Sequence, residues 1–518
     1  MSFTKLKDRL DTLPLVLAGP IVRRVEPAGA TIWVALRRRR HIRLEIYDGD
    51  PPQGQLVASR AADTAAIGVN LHIACVTARP TNPFTAGTTY QYNLFFDHLG
   101  GADDIQSGAD LFGPRIVSTS NIAAVAEDEA QHALTYTVDG GPTRPSFVLP
   151  PNALDDLRIL HGSCRKVSGP HNDALEAADH MLREVFTKGE KRPHMLFLTG
   201  DNIYNDGCER KLSEMILEAG PTLLGWDESL VVTDTGLFTR FSEFSGDRSA
   251  VSLIACGLSS PGADLRQLFS LGETIVLYLL TFAPPLWPDD LDYQRGTFDF
   301  RGTLPAVRRA LANVATYMIF DDHELSNSWN LTANWVESVL GTPMGRRIYQ
   351  NALAAYALCQ GWGNTPERFE AGGPGKALLD AIVAWSEAEI AGTRSPAAPL
   401  AEISRRTGLP DVDVFKNVRD WSGFHGPEVV RWHYSVPCPG LNIDVLDTYM
   451  WRAYEGEVAN SIIVSDEGLN QQLSAPLPNS ECSLIVVSNV GIDVPGGGGQ
   501  INQLKWWLTK NLSGVLIP

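Results

Sequence analysis

Three short apolar runs, each followed at once by polar residues, constrain the fold of this chain more than any other feature. They read LRILHGSCRK (157–166), MLFLTGDNIYND (195–206) and TYMIFDDHE (316–324). Between the first two lies DALEAADHMLREVFT, whose apolar residues recur at the spacing of an amphipathic helix. A strand, a helix and a strand in this order predict a βαβ unit, so we expect a parallel sheet to begin near residue 157.

The polar residues after these runs form one chemically diverse set at the predicted strand ends. In open α/β sheets, ligands bind outside the carboxyl ends of the strands, so three such ends on one sheet should converge on a single crevice. The set comprises Cys164, Arg165, Lys166, Asp201, Tyr204, Asp206, Asp321, Asp322, His323 and Glu324.

Such a crevice is suited to metal ions. One aspartate can bridge two ions about 3.5–4 Å apart, as two-metal hydrolases require. A phenol with an ordinary pKa near 10 becomes a ligand only beside a strong Lewis acid, and a thiol likewise loses its proton on coordination. Thiolate, phenolate and carboxylate together favour a transition metal such as iron, with Ca²⁺ or another hard ion among the carboxylates. We therefore expect a dinuclear or polynuclear metal site.

The segment from residue 15 to about 150 has a different pattern. Runs such as GATIWVALR, HIRLEIYDG and TTYQYNLFFDH mix β-branched and aromatic residues at period two, and Gly, Pro, Asn and Asp separate them. This pattern predicts an antiparallel β-sandwich of about seven strands, of the immunoglobulin or fibronectin type III kind.

The sequence thus predicts two domains. The Pro- and Gly-rich stretch 134–157 indicates a linker or domain edge, which separates a β-sandwich over 1–150 from an α/β domain with mixed sheets over 151–518. Helical patterns over about 208–315 and 331–430 indicate insertions in the second domain.

Charge and cysteine usage exclude several classes of function. With 43 Lys and Arg against 60 Asp and Glu, the net charge is −17, which disfavours a nucleic-acid surface. A phosphorylated substrate remains compatible, because bound metal reverses the local charge. The seven cysteines contain no CxxC pair. Without a signal peptide or an apolar stretch long enough to span a bilayer, we expect a cytoplasmic protein. The oligomeric state is left open.

Four motifs of the sequence resemble those of a known enzyme family. GDNIYND (200–206) resembles the GDxxY segment of the metallophosphoesterase superfamily, in its branch of PhoD-like alkaline phosphatases and phosphodiesterases. GSCRK (162–166), IFDDHE (319–324) and LDTYM (446–450) resemble further motifs of that branch, in the same order. An N-terminal sandwich opening with GPIVRRVEPAGATIWVAL also fits it.

The resemblance implies a metal-dependent phosphoester hydrolase in which metal-bound hydroxide attacks phosphorus in line. By this resemblance Cys164 and Tyr204 would bind Fe³⁺, Asp201 would bridge two ions, and Asp322 would bind the second ion, Ca²⁺ or another divalent metal. His323 would stand near the scissile phosphate as proton donor or charge stabiliser. We add Arg165 as a candidate phosphate clamp, because it is next to Cys164.

Two departures keep other hypotheses open. Tyr449 stands where the family usually has Arg, and the family's terminal Gly-Asp-x-His motif does not occur here. We expect either a C-terminally incomplete chain, which we favour, or a degenerate member acting as a binding or scaffold protein. A third hypothesis is a hydrolase that uses Cys164 as nucleophile with His323. The structural alternative for Asp322, His323 and Glu324 is a cluster at the start of a helix, with Asp322 as its N-cap.

Overall fold

The N-terminal part of the computed structural model consists of two antiparallel sheets. One has the strand order Val16–Glu26, Gly29–Leu36, His72–Ala78, Ala65–Ala66. The other has the order Gln55–Asp63, Arg40–Asp48, Thr89–His98, Ala109–Asp110, and Ser146–Val148 also pairs with Thr89–His98. The structure describes residues 3–49, 54–100, 105–136, 143–170, 172–188, 191–231, 238–243, 248, 251–252, 256–258, 265–454, 461–473 and 482–487.

Side-chain alternation explains how these two sheets pack. Along Arg40–Asp48 buried and half-buried residues alternate, so Ile42, Leu44 and Ile46 share one buried face. This strand contacts His72–Ala78 of the other sheet. The antiparallel sheets expected from the sequence are therefore present.

The stretch 134–157 differs from the expected linker. Its residues Ser146–Val148 are a buried strand that pairs with Thr89–His98. The Arg192 guanidinium holds this strand in place, because it donates to the Ser146 hydroxyl at 3.0 Å and to the Ser146 carbonyl at 3.1 Å. A strand of three residues is too short to produce a visible period, and the surrounding Pro and Gly residues conceal it.

A three-stranded parallel sheet follows, as the sequence predicts. Its order is Ile159–Gly162, Met195–Thr199, Ala315–Ile319. All residues of the second and third strands are buried, as is typical of parallel strands that are covered on both faces. In the register of the sheet, Gly162 lies beside Leu198, and Thr199 beside Ile319, so the three carboxyl ends share one edge.

Helices lie in both ranges that showed a helical pattern. Glu176–Val185 connects the first two parallel strands and packs on Arg295–Leu311. The other described helices are Leu6–Arg9, Ala123–Leu134, Arg210–Leu224, Leu271–Phe282, Ala333–Leu340, Pro343–Tyr356, Trp362–Asn364, Pro374–Ile390, Ala397–Thr407, Val412–Val418 and Asp466–Gln472. None of the described helices has the length and apolar character needed to cross a membrane.

Short elements complete the described chain. Tyr434–Cys438 runs antiparallel to Leu441–Val445, and Cys482–Val486 runs parallel to Leu441–Val445. Three two-stranded pairs add Cys208–Glu209 with Leu265–Arg266, Ser229–Val231 with Phe238–Arg240, and Ala453–Tyr454 with Ser461–Ile462.

The N-terminal sheets and the parallel sheet share buried contacts. The strand Val16–Glu26 packs against Ala315–Ile319. From it, the fully buried Arg23 guanidinium donates to the Gln360 carbonyl at 2.9 Å and to the Asn364 side-chain oxygen at 2.7 Å. The Trp33 indole of the next strand donates to the Leu358 carbonyl at 2.8 Å. The first strands of the chain are thus part of the support for the central sheet.

Candidate metal centre

Backbone hydrogen bonds join the carboxyl ends of the first two parallel strands. The Cys164 amide donates to the Gly200 carbonyl at 3.1 Å, and the Arg165 amide donates to the Asp201 carbonyl at 2.8 Å. Cys164 and Asp201 both have left-handed backbone conformations, with φ of 60° and 51°. Such conformations are uncommon for residues other than glycine and are frequent at functional sites.

Three of the predicted site residues form a compact ligand group at this edge. The ligand atoms of Asp201, Asp322 and His323 all lie within 4.8 Å of one another. Two carboxylates and an imidazole are ordinary ligands for transition metals and, in the case of carboxylates, for harder ions. The donor set therefore fits a bound cation. Burial of Asp201 raises the pKa of its carboxyl, which a cation would offset.

Tyr204 and Cys164 lie next to this group. The Tyr204 hydroxyl donates to Asp201 Oδ2 at 3.0 Å, and its ring stacks on the His323 imidazole with centroids 4.2 Å apart. Partial burial, followed by the charge of the nearby Asp201, raises the pKa of the Cys164 thiol. Among the described residues, the group whose ligand atoms all lie within 4.8 Å of one another consists of Asp201, Asp322 and His323, and Cys164 does not belong to it.

His323 is oriented by Asp206. Its Nδ1 is 2.7 Å from Asp206 Oδ1, and its backbone amide donates to Asp201 Oδ1 at 3.2 Å. Burial alone would lower the pKa of His323, but the hydrogen bond and charge of Asp206, together with Asp201 and Asp322, raise it to about 9. Asp206 thus engages Nδ1 and favours the protonated imidazole, an effect that a cation held by Asp201 and Asp322 would oppose. The sequence placed Asp206 at this strand end but indicated no role for it.

The two outer acids of the DDHE turn have structural roles. Asp321 caps the short turn Asp322–Glu324, and Glu324 accepts the Asp321 amide at 2.8 Å, which completes a capping box. Glu324 also accepts the amides of Asp201 and Asn202. A capped turn is therefore present, but its cap is Asp321 and not Asp322, which the capping alternative had named.

Tyr449, which departs from the family motif, is directly connected to this turn. Its hydroxyl donates to Asp321 Oδ1, and the Arg452 guanidinium lies 4.1 Å from the centroid of its ring. The Asp447 carboxylate fixes the preceding turn by accepting the Tyr449 and Met450 amides at 3.0 and 2.8 Å. Tyr449 is buried and thus stabilises Asp321, the cap of the turn that carries Asp322 and His323.

The guanidinium of Arg165 is engaged in the interior. It donates to Asp173 Oδ2 at 2.6 Å and to the Thr281 carbonyl at 2.9 Å, and it lies 5.6 Å from the Phe300 ring centroid. The residue is only 6% exposed. This arrangement gives Arg165 a role in the interior, and its role as a phosphate clamp stays a prediction.

The neighbouring cation, Lys166, lies over the ring of Tyr204 instead. Its ammonium is 5.4 Å from the centroid of the Tyr204 ring. Lys166 also borders a pocket of about 400 Å³ whose lining includes Cys164, Met181 and Phe300. The sequence places this lysine at the strand end and indicates no function for it, because residue order does not show the directions in which two adjacent side chains point.

Comparison with known proteins finds similarity at the level of solved structures. No known family profile matches the sequence, and no curated protein matches it. A solved structure of PhoD matches 88% of this chain with a TM-score of 0.35 and 12% identity. The chain spans 55% of the length of that PhoD chain.

Proposed function

We propose that this protein is a metal-dependent phosphoester hydrolase of the PhoD-like kind, with an α/β part of the metallophosphoesterase type. One observation carries the proposal: Asp201, Asp322 and His323 place their ligand atoms within 4.8 Å of one another at the carboxyl edge of a parallel sheet. Ligands bind at this edge in open α/β sheets.

The side chains divide into ligands and proton-transfer groups. Asp201 and Asp322 would hold the cation or cations, with Tyr204 and Cys164 as further ligands, a set that favours Fe³⁺ with Ca²⁺ or another divalent ion. When bound, the cations would neutralise phosphoryl oxygens and lower the pKa of water.

His323 would act on the leaving group. Because Asp206 engages Nδ1 and favours the protonated ring, Nε2 would be the nitrogen that donates a proton to the leaving ester oxygen, while Asp201 and Asp322 rather than His323 would hold the cation. The ester P–O bond breaks, the oxygen of water forms the new P–O bond and releases a proton to solvent, and the alcohol leaves with the proton donated by His323.

Hydrolysis and metal content test this function together. The purified chain is reconstituted with Fe³⁺ and Ca²⁺, and hydrolysis of p-nitrophenyl phosphate and bis-p-nitrophenyl phosphate is measured beside metal analysis. We expect Asp201→Asn to lose metal and activity by about a hundred-fold or more. Asp380→Asn, at an exposed acid paired with Lys376, is the matched control and should retain both. Activity unaffected by Asp201→Asn would defeat the proposal.

Two alternatives have their own outcomes. The substitution of Tyr449 for the family's Arg favours a binding or scaffold protein without turnover, which would fold fully and retain no metal. A hydrolase with Cys164 as nucleophile would be inactivated rapidly by iodoacetamide whether or not metal is present, whereas a metal ligand should be protected by the cation.

A further inference from the structure

We propose that the Lys166 ammonium binds the phosphoryl oxygens of the substrate and favours phosphomonoesters over phosphodiesters, an inference that rests on the function proposed above. Lys166 follows Cys164 by two residues in the turn after the first parallel strand.

The turn fixes the position of this lysine relative to the acidic group. The Lys166 amide donates to the Cys164 carbonyl, and the Gly169 amide donates to the Lys166 carbonyl, both at 3.1 Å. The ammonium is 5.4 Å from the centroid of the Tyr204 ring, and the Tyr204 hydroxyl donates to Asp201. The lysine charge is thus one side chain away from the ligand group.

Space for the lysine stem comes from Gly207. A Cβ at this position would lie 3.2 Å from Lys166 Cε and 2.9 Å from Tyr204 Cβ. Contacts this close would force the lysine, the tyrosine or both to move. The Ser168 hydroxyl donates to the Gly207 carbonyl at 3.0 Å, which holds the two loops at this separation. The local backbone is therefore arranged to seat Lys166 against Tyr204.

The charge of Lys166 is available for an anion. Within the described part of the chain, no carboxylate forms an ion pair with its ammonium, whereas the adjacent Arg165 is bound to Asp173. Lysine binds phosphate as a compact point charge and needs no fixed geometry. The Asp173 carboxylate partly neutralises the charge of Arg165, so of the two neighbouring cations we assign Lys166 to the incoming phosphoryl group.

Substrate charge determines how much this lysine contributes. A phosphomonoester carries a charge of about −1.5 to −2 near neutral pH, and a diester carries less. A cation beside the phosphoryl group therefore stabilises the bound monoester more than the bound diester. Lys166 should increase the ratio of monoester to diester hydrolysis.

Phosphate binding provides a readout that does not depend on turnover. The metal-loaded full chain is titrated with inorganic phosphate by calorimetry, and kcat/KM is measured for p-nitrophenyl phosphate and bis-p-nitrophenyl phosphate. We expect Lys166→Met to weaken phosphate binding about ten-fold and to lower the monoester kcat/KM more than the diester kcat/KM. Lys166→Arg should restore phosphate affinity to within about three-fold of the wild type. The exposed Lys188→Met is the control, and we expect it to leave both properties unchanged.

The outcomes separate this inference from the proposed function. Wild-type hydrolysis together with equal phosphate affinity in the wild type and Lys166→Met would overturn phosphate binding by Lys166. Equal losses on both esters would overturn the monoester preference. A wild-type protein that hydrolyses neither ester and binds no phosphate would overturn the proposed function, and this inference with it.

Discussion

Glu324 accepts a hydrogen bond from the Asp201 backbone amide, at 3.0 Å, across 123 positions of the chain. The same carboxylate accepts the amides of Asn202 and Asp321, both at 2.8 Å. Burial and the nearby Asp201 raise the pKa of Glu324. This buried side chain joins the ends of two adjacent parallel strands and therefore sets the distance between Asp201 and Asp322.

Replacing Glu324 by Gln should separate these two strand ends. The new amide group would direct an N–H towards backbone donors, which leaves buried groups unpaired at a cost of about 2 kcal/mol in the free energy of unfolding. Urea denaturation and metal analysis measure the loss of stability and of metal. Glu402→Gln, at a surface ion pair with Arg405 and Arg406, should change stability by less than about 1 kcal/mol. Equal effects of the two substitutions would contradict this account.

Gly200 is required by the close approach of the two motif turns. Its φ is +103°, and a Cβ there would lie 2.4 Å from the Asp321 Cβ. We expect Gly200→Ala to lower the free energy of unfolding by about 2 kcal/mol or more, because neither the conformation nor the contact can be relieved locally. Thermal and urea denaturation give the measurement.

Gly302 offers the matched control for Gly200. It lies within the helix Arg295–Leu311, and no atom is within 4 Å of a Cβ added there. Alanine at this helical position should stabilise the protein by about 0.5–1 kcal/mol. A Gly200→Ala variant that is as stable as the wild type would contradict the prediction for Gly200.

The buried pair of Arg165 and Asp173 should contribute to stability rather than to phosphate binding. Arg165→Met leaves the Asp173 carboxylate buried without its cation, so we expect a loss of about 3–5 kcal/mol. The double variant Arg165→Met/Asp173→Asn should recover part of that loss. Calorimetry on the double variant should show phosphate affinity close to that of the wild type. Phosphate binding ten-fold weaker in the double variant would instead favour Arg165 as the clamp.

Acid should destabilise the protein through His194, which is 2% exposed. Its Nδ1 accepts the Arg158 amide at 3.1 Å, an interaction that a protonated imidazole cannot make. Burial, with the charges of Arg158 and Arg192, lowers the pKa of His194 from 6.5 to about 4. Because the unfolded chain binds this proton first, the contribution of His194 is fully present above about pH 6.5. It is lost as the pH falls through about 4, and amounts to about 3 kcal/mol.

The slope of stability against pH measures this contribution. Between pH 6.5 and 4, His194→Asn should lose less stability than the wild type, because asparagine does not titrate. The exposed His180→Asn, on the helix Glu176–Val185, should keep the wild-type slope. Identical slopes for all three proteins would exclude His194 as the source.

The order of apolar runs and one amphipathic helix was sufficient to predict the central sheet. The strands Met195–Thr199 and Ala315–Ile319 are continuous apolar runs, and their parallel pairing follows from the helix after the first strand of the sheet. The convergence of their polar ends follows from that pairing. The sequence therefore predicted that Asp201, Asp322 and His323 would lie together.

The roles of adjacent residues could not be predicted in the same way. Asp321 and Asp322 are neighbours of identical chemistry, yet Asp321 caps the turn and Asp322 joins the ligand group, since successive residues leave the strand in different directions. The side chains of Arg165 and Lys166 likewise point in different directions after Cys164, whose backbone is left-handed: Arg165 binds Asp173, and Lys166 lies over the Tyr204 ring. Such differences depend on single backbone dihedral angles, which residue patterns do not encode.

The insertion of Arg23 into the body that carries the central sheet has a consequence for recombination. Its guanidinium is satisfied by Gln360 and Asn364, and Trp33 bonds to Leu358, so a gene split near codon 150 would leave acceptors and cation on separate polypeptides. A chimera that takes only its first 150 residues from a homologue should fold well only when the segment around residues 358–364 comes from the same homologue. The two segments should therefore be inherited together, because each supplies buried hydrogen-bond partners to the other.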